Sequence, residues 1–203
     1  MESLIKSYKL KNDHHHDMIR EMPSNYNGTH IDLVKNRILW ISEDVTTEMA
    51  SVISAFLLHY DSENSEEDIT LYIHTNGGDA NGVAQIYDTI QMISSPVKTV
   101  CVGKAYSAGA FILATGTKGK RYAFKHSSIM IHGLQCLFPT PGNHDQIGSK
   151  NYYNFLNELN NNILKILFNH TGQPLDKVKL DCSRDLFLTA EDALKYGIID
   201  HII

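Results

Sequence analysis

Residues 102–133 read VGKAYSAGAFILATGTKGKRYAFKHSSIMIHG, and the interpretation of the whole chain starts from them. Ser107 stands in a run of very small residues, which allow a backbone and a substrate to approach its hydroxyl closely. His132 closes the apolar run Ile129–Ile131, and a histidine at the end of a buried strand can act as a base near neutral pH. The alternative is a serine that caps a helix and a histidine of the core. Residues elsewhere in the chain are needed to choose between the catalytic and the structural interpretation.

The overall composition is that of an ordinary globular protein. The chain has 203 residues, of which 42% are hydrophobic and 20% charged, enough for one domain with a sizeable core. A formal net charge of −5, without any basic stripe, argues against a nucleic-acid partner. The apolar runs are too short to span a bilayer, and the N-terminus lacks the layout of a signal peptide. We therefore expect a cytoplasmic protein without a membrane partner.

Cysteine and histidine usage predicts neither a metal site nor a cofactor. Cys101, Cys136 and Cys182 lack metal-ligand spacing and are interpreted as reduced thiols of a cytoplasmic protein. His14–His16 are consecutive, and three consecutive side chains cannot all face one site on regular structure. Solvent exposure is therefore favoured over metal binding for these histidines.

Short apolar strands alternate with amphipathic helices, which predicts an α/β fold whose parallel strands are joined by crossover helices. The predicted strands cover residues 37–41, 69–73, 97–102, 121–123, 128–132 and, at the end, 198–203. Residues 61–68 are predicted to be a solvated acidic loop, and residues 152–167 a long helix with one apolar stripe. Residues 1–27 are polar and turn-rich and are expected to be mobile, whereas residues 28–203 are expected to form a single domain.

The pattern of residues indicates acyl transfer, which requires a nucleophile, a base, an orienting acid and donors for an oxyanion. Ser107 and His132 supply the first two. The Gly77–Gly78 turn follows a predicted strand and Ala108 begins a predicted helix, so both offer backbone N–H groups for an oxyanion. The common esterase motif G-x-S-x-G is absent, because Ala105 stands where its first glycine would be.

Two aspartates compete for the role of the acid. Asp181 and Asp185 both lie in the segment DCSRD, and spacing alone does not choose between them. Each also fits a surface carboxylate at the end of a helix. The residues by themselves therefore indicate a serine-type site and leave the acid open.

Three longer stretches carry a closer resemblance. They are LYIHTNGGDANGVAQIYDTIQMI at 71–93, CVGKAYSAGAFILATGTKGKRYAFKHSSIMIH at 101–132 and HTGQPLDKVKLDCSRDLFLTAEDALKYGIID at 170–200. In order and in register they resemble the proteolytic subunit of the Clp protease, the ClpP family of self-compartmentalised serine peptidases. The resemblance runs from about residue 31 to the C-terminus.

The resemblance implies a role for each position that matches the family pattern. Ser107 matches the nucleophile, His132 the general base and Asp185 the acid of the triad, which favours the second of the two aspartates. Gly78 and Ala108 match the residues whose backbone N–H groups form the oxyanion hole. The implied enzyme is a serine endopeptidase.

We expect the substrate to lie against residues on both sides of this site. Gly77 and Asp79 are the expected contacts on one side, and Gly133 and Leu134 on the other. The family usually has Ser-Pro-Gly-Gly where residues 75–78 read Thr-Asn-Gly-Gly, so the turn differs here. The carboxylate of Asp79 is expected to disfavour acidic substrates.

The resemblance also implies an architecture and partners. The implied fold is a spiral of ββα units, related to the crotonases, with a protruding handle helix in the region of about residues 134–170. Two stacked heptameric rings of identical subunits are expected to enclose the active sites, with unfolded polypeptides as substrates and an AAA+ ATP-dependent unfoldase as partner. Residues 1–27 then correspond to an axial gate, and the subunit itself needs no cofactor. A non-catalytic ring scaffold subunit and a crotonase-type acyl-CoA enzyme are the alternatives.

Overall fold

A computed structural model describes residues 33–134 and 146–203, and it has the α/β fold that the sequence predicts. The strands are β1 (Ile38–Ile41), β2 (Ile69–Thr75), β3 (Val97–Tyr106), β4 (Arg121–Ala123), β5 (Ser128–Ile131), β6 (Leu186–Thr189) and β7 (His201–Ile202). The helices are α1 (Thr47–Glu63), α2 (Ala80–Met92), α3 (Ala108–Ala114), α4 (Gln146–Thr171), α5 (Leu175–Asp181) and α6 (Ala190–Tyr196).

The strands within the described residues form one mixed sheet. β1, β2, β3, β4 and β7 lie side by side and pair in parallel. β5 pairs in parallel with the end of β3, and β6 pairs antiparallel with β5. The crossover helices α1 and α2 pack against each other, as expected for consecutive β–α–β units.

β3 is the strand that positions the candidate site, because it changes partner along its length. Thr99–Cys101 pair with β4, whereas Lys104–Tyr106 pair with β5. Ser107 follows the second part directly, and α3 begins at the next residue. The change of partner therefore brings the end of β5 beside the serine.

α4 belongs to the core in its second half only. Ile163, Ile166 and Leu167 are buried, whereas Tyr152 and Phe155 on the same predicted stripe are exposed. The helix has 26 residues, which corresponds to about 39 Å at 1.5 Å per residue. Neither α4 nor another helix within residues 33–134 and 146–203 is both long enough and apolar enough to cross a membrane.

The prediction of a solvated acidic loop over residues 61–68 is right for the irregular and largely exposed residues 64–68, but wrong for residues 61–63, which belong to α1, and for two of its carboxylates. Asp61 lies in the last turn of α1, and its Oδ1 accepts the N–H groups of Ser94 and Ser95 at 2.9 and 2.7 Å. Asp68 Oδ1 accepts a hydrogen bond from Lys120 Nζ at 2.5 Å. These carboxylates satisfy groups of other elements, which the local sequence does not reveal.

The last predicted strand is shorter than expected. Only His201–Ile202 pair with β4, while Ile198 and Ile199 are buried in the core. Asp200 directly follows Ile199, and its carboxylate is held by the Arg121 guanidinium at 2.6 and 2.8 Å. This ion pair fixes the chain at the point where the strand begins.

Candidate active site

Ser107 lies on a sharp turn between strand β3 and helix α3. Its N–H donates to the carbonyl of Met130 at 2.8 Å, which continues the pairing of β3 with β5. Its φ and ψ of 51° and −119° are rare for a residue with a side chain and cost about 1–3 kcal/mol. Ser107 occupies the N-cap position of α3, but its side chain makes no capping hydrogen bond, so the hydroxyl does not cap the helix. The turn has the strand-to-helix geometry of a nucleophile elbow without the G-x-S-x-G motif.

The turn after β2, residues 76–78 and named here the Gly–Gly turn, approaches this serine through Gly77. A Cβ atom at Gly77 would lie 2.6 Å from Ser107 Cβ and 3.1 Å from Ser107 Oγ. Gly77 also has a φ of +117°, which a residue with a side chain rarely adopts. Only glycine therefore allows the turn to approach the serine so closely.

Two backbone N–H groups, those of Gly78 and Ala108, are available as donors beside Ser107. Val45 donates its N–H to the carbonyl of Gly77 at 2.7 Å and accepts the N–H of Asp79 at 2.7 Å. These two bonds flank Gly78, whose own N–H makes no hydrogen bond to another described residue. Ala108 begins α3, so its N–H has no partner in the helix either. Both donors suit an oxyanion that forms at Ser107.

His132 directly follows β5 and lies half-buried beside the serine. Its Nδ1 is hydrogen-bonded to the carbonyl of Gly133. Because a carbonyl oxygen only accepts, Nδ1 carries a proton in this bond, and in the neutral imidazole Nε2 is then an acceptor. This is the tautomer that a general base for a serine hydroxyl requires.

The two candidate acids occupy different surroundings. Asp185 lines the same cleft as Ser107 and His132. Asp181 instead accepts hydrogen bonds from the Tyr196 hydroxyl at 2.9 Å and from Lys177 Nζ at 2.5 Å. The structure therefore brings Asp185, and not Asp181, to the serine and the histidine.

The cleft that contains these residues has a volume of about 380 Å³. Besides Ser107, His132 and Asp185, it is lined by Gly78 and Ala108. Apolar side chains form part of its wall: Val83, Phe111, Met130 and Ile163. The cleft thus combines a few polar groups with an apolar wall, which is typical of sites that bind a specific ligand.

The four residues expected to contact the substrate are placed in two ways. Gly133 and Leu134 line the cleft, but their N–H groups donate within the chain, to the Cys182 carbonyl at 2.7 Å and to Asn160 Oδ1 at 2.8 Å. Gly77 packs under the serine. The carboxylate of Asp79 caps α2, because its Oδ1 accepts the N–H groups of Asn81 and Gly82 at 2.6 and 3.3 Å.

Asn76 and Asn160 are two residues of this region that the sequence did not single out. Asn76 lines the cleft, and its Oδ1 accepts a hydrogen bond from Lys104 Nζ at 2.6 Å. Asn160 lies among several other asparagines of α4, and nothing in the local sequence distinguishes it. Only the approach of α4 to the cleft gives it a contact there.

The described cysteines have the chemistry of buried thiols. Cys101 and Cys182 are buried and form no disulfide. Burial raises the pKa of Cys101 to about 11 and the pKa of Cys182 to about 12, so both stay protonated at neutral pH. Cys136 and His14–His16 lie outside the described residues.

A metal ion has no evident site in the part of the chain that the structure describes. Those residues contain no group of three or more histidine, cysteine, aspartate or glutamate side chains that could hold one. The groups that gather around the cleft are those of metal-independent acyl transfer.

The α/β fold places a serine, a histidine and an aspartate in one cleft, which are the residue types that a serine peptidase uses. The family model of the Clp protease matches residues 24–203 of the chain. The chain therefore belongs to the Clp protease family. The resemblance to the ClpP family that was drawn from three sequence stretches is confirmed.

Proposed function

We propose that the protein is a serine endopeptidase that hydrolyses peptide bonds in unfolded polypeptides inside a ring-shaped oligomeric chamber. The observation that carries the proposal is the strained turn at Ser107, which exposes the serine between the Gly–Gly turn and the histidine. Strain of this kind persists only where the surroundings impose it, and it is concentrated at functional sites.

The proposed reaction begins when His132 Nε2 takes the proton of Ser107 as the hydroxyl attacks a peptide carbonyl. The N–H groups of Gly78 and Ala108 bind the oxyanion, and each such donor lowers the barrier by about 3 kcal/mol. Asp185 stabilises the imidazolium. The imidazolium then gives its proton to the leaving amine, and an acyl-enzyme on the serine remains.

The second half of the proposed reaction releases the acyl group. Water attacks the acyl-enzyme while His132 again acts as the base, and the same backbone donors bind the second oxyanion. The proton then returns to Ser107, and a free carboxylate leaves. No step requires a metal ion or another cofactor.

The proposed assembly is a homo-oligomer of heptameric rings, stacked as a double ring through the handle. Support comes from the first half of α4, which exposes Tyr152, Tyr153 and Phe155. Exposed aromatic residues in such a cluster are typical of surfaces that a partner covers. In this proposal, α4 supplies the contact between rings, and the protein acts in the cytoplasm.

The proposed partner is an AAA+ ATP-dependent unfoldase that supplies unfolded polypeptides. Support comes from an aromatic pair on the sheet, where Trp40 and Tyr72 stack with ring centroids 5.3 Å apart and remain half-exposed. An amphipathic aromatic pair provides contact area for a docking segment at a low cost in conformational entropy.

The test is labelling with a fluorophosphonate probe, with the native mass measured in the same sample. We expect the wild type to be labelled in a particle of many subunits, and the Ser107→Ala variant to stay unlabelled. An assembled particle without labelling contradicts the proposal and favours a scaffold subunit. Thioester turnover that survives Ser107→Ala contradicts it as well and favours an acyl-CoA enzyme.

A further inference from the structure

Residues 132–134, named here the base segment, are held by groups from two helices. Asn160, half-buried on α4, accepts the N–H of Leu134 through Oδ1 at 2.8 Å. Gly133 donates its N–H to the carbonyl of Cys182, at the end of α5, at 2.7 Å. The base segment therefore leaves β5 between a side chain of α4 and a carbonyl of α5.

The fit around Gly133 is a second sign of this close approach. A Cβ atom at this position would lie 2.9 Å from Asn160 Oδ1 and 3.3 Å from the Cys182 carbonyl oxygen. The first distance is shorter than real Cβ contacts allow, so any side chain here would push the asparagine or the segment away. Glycine at 133 and asparagine at 160 thus fit each other.

The base segment is linked to the ring of the histidine. His132 Nδ1 donates to the carbonyl of Gly133, so the peptide between Gly133 and Leu134 contains both the acceptor for the ring and the N–H that Asn160 binds. A shift of this peptide moves the acceptor and turns the imidazole. Misplacing a catalytic group by about 1 Å can lower a rate by about 100-fold.

We propose that Asn160 is a positioning residue, which fixes the orientation of His132 by holding the N–H of Leu134. The inference rests on the proposed function, because it requires His132 to be the base. Asn160 acts through the main chain of the base segment. It connects the half of α4 that belongs to the core with the half that extends from it.

The test compares the rate at which a fluorophosphonate labels Ser107 in the full-length wild type and in three variants. We expect Asn160→Ala to lower the rate by about 10-fold to 100-fold, because the acceptor is lost. Asn160→Asp keeps an oxygen at the same place and should restore most of the rate. Asn161→Ala removes an exposed asparagine next along the helix and should leave the rate unchanged.

Rates are measured over a range of pH, because Asn160→Asp adds a negative charge near His132 and Asp185. That charge favours the imidazolium, so it should shift the profile to higher pH without lowering the maximal rate. Hydrogen exchange at the Leu134 amide reports the contact itself. Exchange should be faster in Asn160→Ala and close to that of the wild type in Asn160→Asp.

Each outcome decides the inference. Equal labelling of wild type and Asn160→Ala overturns it and leaves the proposed function intact, whereas an unlabelled wild type overturns the proposed function and the inference together. Slow labelling of both Asn160 variants with unchanged Leu134 exchange also overturns it. If Asn160→Ala does not fold, Gly133→Ala disturbs the same contact: slower labelling with faster Leu134 exchange supports the inference, and wild-type values contradict it.

Discussion

Ser107 is held by a main-chain hydrogen bond, and the Gly–Gly turn by main-chain bonds together with the side chains of Thr75 and Lys104. The base segment is held by one helix side chain and one carbonyl. On the first side, Ser107 bonds to Met130, and the turn bonds to Val45. On the second side, the hydrogen-bond partners are Asn160 Oδ1 and the Cys182 carbonyl. The proposed nucleophile thus extends the pairing of two strands, while the position of the proposed base depends on how two helices approach.

This difference has a consequence for how each half responds to substitution. Main-chain bonds within a sheet survive most changes of side chain, so Ser107 and the Gly–Gly turn should be most sensitive where an added side chain collides with them. The base segment should respond to changes at positions distant in sequence, such as Asn160. The following predictions test this contrast, from the largest effect to the smallest.

Asp185→Asn should give the largest loss of activity, about 10,000-fold, because a neutral amide in the cleft does not stabilise the imidazolium as a carboxylate does. Asp181→Asn is the matched control, since it lies four residues earlier and bonds to Tyr196 and Lys177. It should leave activity per folded molecule unchanged. Peptidase rates and thermal unfolding of both variants check this, and equal losses of activity would contradict the assignment.

Asp200→Asn should lower the free energy of unfolding by about 3 kcal/mol, because it removes the negative charge that pairs with the buried Arg121 guanidinium. Arg121 also donates to the His170 carbonyl at 2.9 Å, at the end of α4, and to the Ala114 carbonyl at 3.4 Å, at the end of α3. The Arg121–Asp200 pair therefore connects the C-terminal ends of α3 and α4. Denaturant unfolding measures the loss.

The same pair predicts a pH dependence of stability. Burial opposes ionisation of Asp200, but hydrogen bonds and charge from Arg121 outweigh it, so the pKa of Asp200 lies below its usual value. A lowered pKa in the folded state gives stability that is present above the unfolded value of about 4 and is lost as pH falls through the folded value. Asp200→Asn should remove this part of the acid dependence, and an unchanged acid limb would contradict the account.

Gly77→Ala should lower activity by about 100-fold, because its Cβ would lie 2.6 Å from Ser107 Cβ and displace the nucleophile. Gly119→Ala is the control, since Gly119 also has a positive φ, +86°, but has nothing within 4 Å of the added atom. It should cost about 1 kcal/mol of stability from backbone strain alone and leave activity intact. Comparable activity losses in both variants would show that strain, and not the collision, is responsible.

Asp79→Ala should have the smallest effect, a loss of about 1 kcal/mol in stability, because it removes the N-cap of α2. Asp79→Ser keeps a capping oxygen without the charge and should be close to the wild type in stability. Rates of hydrolysis of acidic and neutral peptides by Asp79→Ser distinguish a role in capping from a role in substrate contact. A selective gain with acidic peptides would show that the carboxylate also faces the substrate.

Much of the fold followed from the sequence because it depends on local periodicity. The alternation of apolar strands and amphipathic helices predicted the parallel strands, and the position of Ser107 between a strand and a helix was correct. The role of Asp61 was missed, because its partners Ser94 and Ser95 belong to a distant segment. Hydrogen bonds between elements have no local signature.

The candidate site shows the same division. Ser107 and His132 were predicted from small residues and an apolar run, whereas the choice of Asp185 over Asp181 required a resemblance, because spacing treats them alike. Asn160 had no signal, since its contact exists only where α4 meets the base segment. Residues that act through the main chain of another element become visible only in the folded structure.

The most direct test of whether Ser107 is the nucleophile of a peptidase is detection of the acyl-enzyme itself. Wild type and Ser107→Ala are mixed with an unfolded polypeptide, quenched in acid and digested for mass spectrometry. We expect cleavage by the wild type only, with an acyl group attached to the peptide that contains Ser107. Cleavage that persists in Ser107→Ala, or that proceeds with the acyl group on another residue, would contradict it.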